Sequence, residues 1–271
     1  MKLALIGCGT IGEVIAQSIA DKTVQASLEI VFDLDVDKVN RILALFQKKP
    51  RVAESIEDIL KSDVELVVEA ASIEAVRIYG PKILRAGKSL MAMSVGAFAN
   101  RSFYEEMEKL AEEKKVKIYL PSGAIGGLDA LKSASVASID EVTLKVSKPP
   151  EALIDAPYVK DRGISLEGIK EKKIIFEGNA LEAIREFPFN VNAAVALSLA
   201  GIGVYKTRVV IEVDPGLEEN VHEISVKGDF GRFKCKFENL PSPENPKTSF
   251  LAALSAIATL KKITAPIVVG T

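Results

Sequence analysis

Over the first 120 residues, short aliphatic and β-branched runs alternate with stretches of helical spacing. Lys2–Ile6, Glu29–Asp33, Leu66–Glu69, Ser89–Met93 and Val116–Leu120 predict strands. Between them, Ile11–Ala20, Asp37–Phe46, Ser55–Lys61, Ser72–Ala86 and Ser102–Lys114 predict helices. Strict alternation of strand and helix implies a parallel sheet with crossover helices on both faces. Coverage of both faces explains why Leu66–Ser72, LVVEAAS, has almost no polar alternation.

After Pro121 the hydrophobic period becomes that of a half-buried strand. Glu141–Ser147, Lys173–Phe176, Arg208–Asp214, Glu223–Lys227 and Arg232–Phe237 alternate apolar with polar side chains, which predicts mostly antiparallel pairing. Lys148–Glu171, with Pro149, Pro150 and Pro157, reads as a surface loop region. Two apolar helices, near Val191–Ala200 and Thr248–Lys261, interrupt the strands. The expected class is α/β: an N-terminal parallel sheet, then a second α+β domain on a mostly antiparallel sheet. The boundaries that follow are 1–120, with the C-terminal helix 248–271 a candidate to complete that domain, and 121–247.

Composition narrows the function. The chain has 271 residues, 48% hydrophobic and 27% charged, enough to bury a real core. A net charge of −2 without a long Lys/Arg run argues against a nucleic-acid groove or an anionic membrane surface. Cys8 and Cys235 are the only cysteines and His222 the only histidine, so neither a disulfide framework nor a multi-cysteine or multi-histidine metal site is expected. The opening MKLALIG is broken by Gly7 and Gly9 and does not read as a secretory leader. Phe187–Tyr205 is uncharged, but Pro188, Asn190, Asn192, Gly201 and Gly203 mark it as a buried helix rather than a membrane span. A soluble, cytoplasmic protein is the expectation.

Gly7-Cys8-Gly9-Thr10-Ile11-Gly12 is G-x-G-x-x-G, placed between a predicted strand and a predicted helix. In that context Gly7 permits the turn, Gly9 removes the Cβ that would block a pyrophosphate, and Gly12 lets helix and strand pack closely. The helix N-terminus then receives the phosphates. Asp33 ends the second strand, where a carboxylate accepts from both adenosine ribose hydroxyls and repels a 2′-phosphate; this favours NAD, with NADP as the alternative. Asp35 is the rival for that contact. Cys8 fills a small slot in the loop and reads as packing. Ala70, Ala71 and Ser94 follow the later strands, where small side chains let a nicotinamide ribose approach the backbone.

The glycine-rich stretch Pro121–Leu131, PSGAIGGLDAL, and the asparagines Asn190 and Asn192 open further ligand-accessible positions. With Gly7–Gly12, Val68–Ser72, Ser94–Ala97, Asn190–Gly201, His222–Ile224 and Asn245–Ala256, these motifs run in order along nearly the whole chain. Together they resemble the archaeal and bacterial L-aspartate dehydrogenases, related in fold to homoserine dehydrogenase and dihydrodipicolinate reductase. The resemblance implies a Rossmann-type first domain, L-aspartate as substrate and NAD(P)-dependent oxidative deamination that serves NAD biosynthesis. It also implies His222 as catalytic acid/base, and Ala124 with Asn190 or Asn192 at the nicotinamide.

The chemistry suits a histidine, because hydride leaves Cα only when the amine is neutral and a base takes its proton. To hold the dicarboxylate, helix N-termini at Asn192 and at Thr248 and Ser249, with Lys247 or Lys132, are the candidates. A homodimer through an apolar second sheet is expected by analogy of fold. The alternatives are another imine reductase of the same fold, against which the lack of a paired histidine counts, and an NAD-binding protein without catalysis.

Overall fold

The computed structural model describes residues 1–187, 191–242 and 245–271. The chain divides into two compact units, Met1–Pro121 with Ala253–Val268, and Ser122–Ala252 with Val269–Thr271. No described helix is long and apolar enough to cross a membrane.

The first unit holds β1 (Lys2–Ile6), β2 (Ser27–Phe32), β3 (Arg51–Val52), β4 (Leu66–Glu69), β5 (Ser89–Ala92) and β6 (Ile118–Tyr119). They form one sheet in the order β3-β2-β1-β4-β5-β6, and every neighbouring pair is parallel. Helices cover both faces, so all four residues of β4 are buried and polar alternation has no role there. The core joins Leu3, Leu5, Ile15, Val31 and Ile42 to Ala256 and Leu260 of the last helix, Phe250–Thr264. Strand order reverses at β1, which has β2 on one side and β4 on the other. A ligand crevice lies outside the carboxyl ends of strands at such a reversal.

The second unit is a mixed sheet of β7 (Ile139–Lys148), β8 (Lys173–Asn179), β9 (Arg208–Val213), β10 (Asn220–Gly228) and β11 (Gly231–Asn239). Its order is β11-β10-β7-β9-β8, with β7 and β9 parallel and the other pairs antiparallel. Val142, Leu144 and Val146 of β7 lie opposite Val226, Ile224 and His222 of β10, and all six are buried. The other face carries a polar cluster: Lys145 pairs with Glu212 at 3.0 Å, and the Ser147 hydroxyl donates to Glu212 at 2.9 Å.

Three local expectations change. Asn245–Ser249 is not a helix start but a strand, β13, paired with β12 (Pro241–Ser242), and the last helix begins at Phe250. Thr248 and Ser249 thus end a ribbon, where backbone pairing replaces helix capping. The region after β7 contains a short helix, Pro157–Asp161, with Pro157 at its first position. The edge strand Arg51–Val52 is two residues long, too short to carry a periodic signal.

Candidate active site

The glycine loop is built by three different constraints. Gly7 has φ +93°, and a Cβ there would stand 2.6 Å from the Ala70 carbonyl, so only glycine lets β1 turn beside the loop after β4. A Cβ on Gly12 would strike the Gly7 carbonyl oxygen, which presses the helix Thr10–Ala20 close to the turn. At Gly9 an added Cβ would meet nothing within 4 Å. Gly9 is also the N-cap, and no side chain caps the helix at that position. Thr10 and Ile11 are half-buried in that first turn. An open, uncapped helix N-terminus after a glycine turn fits a pyrophosphate.

Asp33 stands against this loop. Its Oδ2 accepts from the Cys8 amide at 2.6 Å and its Oδ1 from the Asp35 amide at 2.9 Å. Asp35 is occupied differently: it caps the helix Val36–Ala44 through the amides of Asp37 and Lys38, and it pairs with the Lys38 ammonium at 3.1 Å. That leaves Asp33 as the carboxylate at the end of β2. Burial, reinforced by the Asp33 charge, pushes the Cys8 thiol up to about 12, so it is inert.

Ala70 and Ala71 follow β4 on a loop fixed from within by Glu69. This buried carboxylate accepts from the Ala71 and Ser72 amides, each at 2.8 Å, and from Ser94 through its hydroxyl at 2.8 Å and its amide at 3.1 Å. Ser94 therefore turns its hydroxyl inward. Burial raises the Glu69 pKa against the opposing pull of these four hydrogen bonds.

The second unit gathers its polar groups on the core face of the sheet. His222 is inside β10, between Val146 and Phe237 on the neighbouring strands, and is 7% exposed. Its Nδ1 is 3.2 Å from the Asn239 side-chain nitrogen, which donates to the Ala124 carbonyl at 2.9 Å. Lys148 lies two residues beyond Val146 on β7, so it shares that face and is buried there. Burial lowers the Lys148 pKa to about 8. Burial, with the Lys148 charge second, lowers His222 to about 4, so the imidazole is neutral near physiological pH. An unperturbed imidazole would instead titrate near 6.5.

Asn220 pairs with Asn239 across β10 and β11, and its buried Oδ1 has no hydrogen-bond partner among the described residues. The buried Ser249 hydroxyl is in the same condition. Asn192 is exposed on the first turn of the helix Val191–Ala200, and Lys132 is exposed. Asn190 and the side chains of Lys247 and Thr248 lie outside the described residues. Glu69, Lys148, Asn220 and Asn239 were not singled out from sequence. Strand parity was the available signal: Val142, Leu144, Val146 and Lys148 continue one face, as do Phe233, Cys235, Phe237 and Asn239.

A glycine loop at the strand-order reversal, a carboxylate closing β2 and a mixed-sheet unit with a buried histidine define a class, the dinucleotide-dependent oxidoreductases of two-unit build. Residues 7–121 match the family model of the homoserine dehydrogenase NAD-binding domain. Residues 129–263 match that of the aspartate dehydrogenase C-terminal domain. The chain is 46% identical to the L-aspartate dehydrogenase of Methanosarcina barkeri and 42% identical to that of Methanocaldococcus jannaschii, with 100% of both chains covered in each case. The crystal structure of aspartate dehydrogenase from Thermotoga maritima matches at a TM-score of 0.78 and 28% identity, over 100% of this chain and 99% of that one. The chain belongs to the aspartate dehydrogenase family.

Proposed function

We propose that the protein catalyses NAD-dependent oxidative deamination of L-aspartate to iminoaspartate, which hydrolyses to oxaloacetate and ammonia. The observation that carries this reading is the pairing of a buried, neutral histidine with a buried lysine on one sheet face, in a chain whose relatives are L-aspartate dehydrogenases. NAD supplies the hydride acceptor when bound; the open helix N-terminus behind Gly7, Gly9 and Gly12 suits its pyrophosphate. Asp33 favours NAD, because a 2′-phosphate would meet a carboxylate already beside the loop.

Aspartate brings two carboxylates, and Lys148 is the buried cation that suits one of them. The bound dianion adds negative charge beside Lys148 and His222, which raises both pKa values against the effect of burial. His222 then handles the proton released when the C=N bond forms and the proton of the water that attacks it. The Asn220 Oδ1, an acceptor with no donor among the described residues, suits the substrate amine.

A homodimer in the cytoplasm completes the reading, and the mass of the protein in solution checks the dimer. The activity is tested by an amino-acid panel assayed for NADH formation at alkaline pH. L-Aspartate should exceed L-glutamate, L-asparagine and L-alanine by at least about a hundredfold in kcat/KM, as unpaired buried polar groups in the site require. Equal rates across the panel would sink it.

A further inference from the structure

The Asn239 side chain touches two groups of unequal chemistry. Its nitrogen is 2.9 Å from the Ala124 carbonyl oxygen and 3.2 Å from His222 Nδ1. A backbone carbonyl can only accept, so the amide nitrogen must point there; the opposite amide orientation would set two oxygens against each other. The same nitrogen, with a second N–H, faces the imidazole, and an amide N–H requires a lone pair on Nδ1. Asn239 is 4% exposed and His222 7%, so water is poorly placed to replace either contact.

We propose that Asn239 is a positioning residue that fixes the tautomer of His222, with Nδ1 as acceptor and the proton on Nε2. The inference deepens the proposed function and rests on it only for the kinetic consequence. The imidazole of the resting protein offers the substrate an N–H at Nε2, not a lone pair. Its first action is therefore to donate a hydrogen bond to an oxygen of the substrate. Nε2 can accept a proton only once its own proton has left and Nδ1 carries the ring proton instead, and that exchange requires the Asn239 amide to turn its oxygen toward the ring. Lys148 from β7 and Cys235 from β11 are titratable side chains on the strands that flank His222 on this face. Neither reaches Nδ1 in place of Asn239, whose nitrogen holds that position.

His222 is the only histidine in the chain, so its ring nitrogens can be read without assignment. The experiment uses the full chain with nitrogen-labelled histidine and two-bond proton–nitrogen correlation near pH 7, without substrate. The wild type should show one pure Nε2–H pattern. Asn239→Ala should show a mixture of tautomers, and Asn239→Asp should shift to Nδ1–H or imidazolium with a raised pKa. Asn239→Ala should also lower kcat for L-aspartate by at least about tenfold while leaving the KM for NAD unchanged. A wild-type Nδ1–H pattern overturns the proposal, as does a pure Nε2–H pattern retained in Asn239→Ala. The Asn239→Ala spectrum decides the matter alone if the Asp variant does not fold. Failure of L-aspartate oxidation with the spectra as expected would instead overturn the proposed function and leave the tautomer assignment standing.

Discussion

Ser94 donates both its amide and its hydroxyl to the buried Glu69 carboxylate, at 3.1 and 2.8 Å, tying the loop after β5 to the end of β4. The same carboxylate receives the amides of Ala71 and Ser72, so four donors converge on two oxygens. The loop that forces Gly7 to be glycine is thus held from behind by the Glu69 carboxyl group.

Glu69→Gln keeps the shape but sets an amide NH₂ against at least one of these donors. A buried donor left without its acceptor costs about 1–3 kcal/mol. The melting temperature should fall by several degrees and NAD binding should weaken. A variant with wild-type melting and NADH affinity would show that Glu69 does not brace the loop.

Asp33→Ser removes the carboxylate beside the glycine loop while Asp35 stays engaged in capping. NADP affinity should rise relative to NAD, measured by titration with both reduced cofactors. An unchanged ratio would move the ribose contact elsewhere, with Asp35→Ser the next variant to compare.

Lys148 gives the site a pH dependence with a definite sign. Its folded pKa is lowered to about 8, so its charge is lost as pH rises through that value. Succinate stays a dianion over this range, so its competitive inhibition should weaken about tenfold per pH unit above the Lys148 pKa. Lys148→Arg should flatten the profile, and Lys148→Met should give weak inhibition at every pH. A flat wild-type profile would remove Lys148 from the carboxylate site.

These residues also show where the sequence was legible. Parallel strands such as Leu66–Glu69 announce themselves because burial on both faces demands continuous apolar side chains, and the glycine loop because each glycine meets a separate steric limit. Fold class followed from those two signals and from the alternation in β7 to β11. His222 was visible as a lone histidine, yet its strand was read from Glu223 onward. Asn220 and His222 instead continue β10, because β7 and β11 pair with it on both sides. Lys148 read as the start of a loop, since a lysine beside Pro149 and Pro150 is ordinarily solvated. Only the sheet register shows it facing inward. The strand Asn245–Ser249 was hidden for a related reason: Thr and Ser before an apolar run serve as helix caps as readily as ribbon residues.

The most direct test of the account is single-turnover NADH formation from L-aspartate by the wild type and by His222→Ala. The wild type should form NADH, and the variant should be slower by at least about a hundredfold, the range a positioned acid–base group supplies. NADH affinity should be nearly equal in the two proteins. A variant that keeps more than about a tenth of the wild-type rate would contradict the central role of the imidazole.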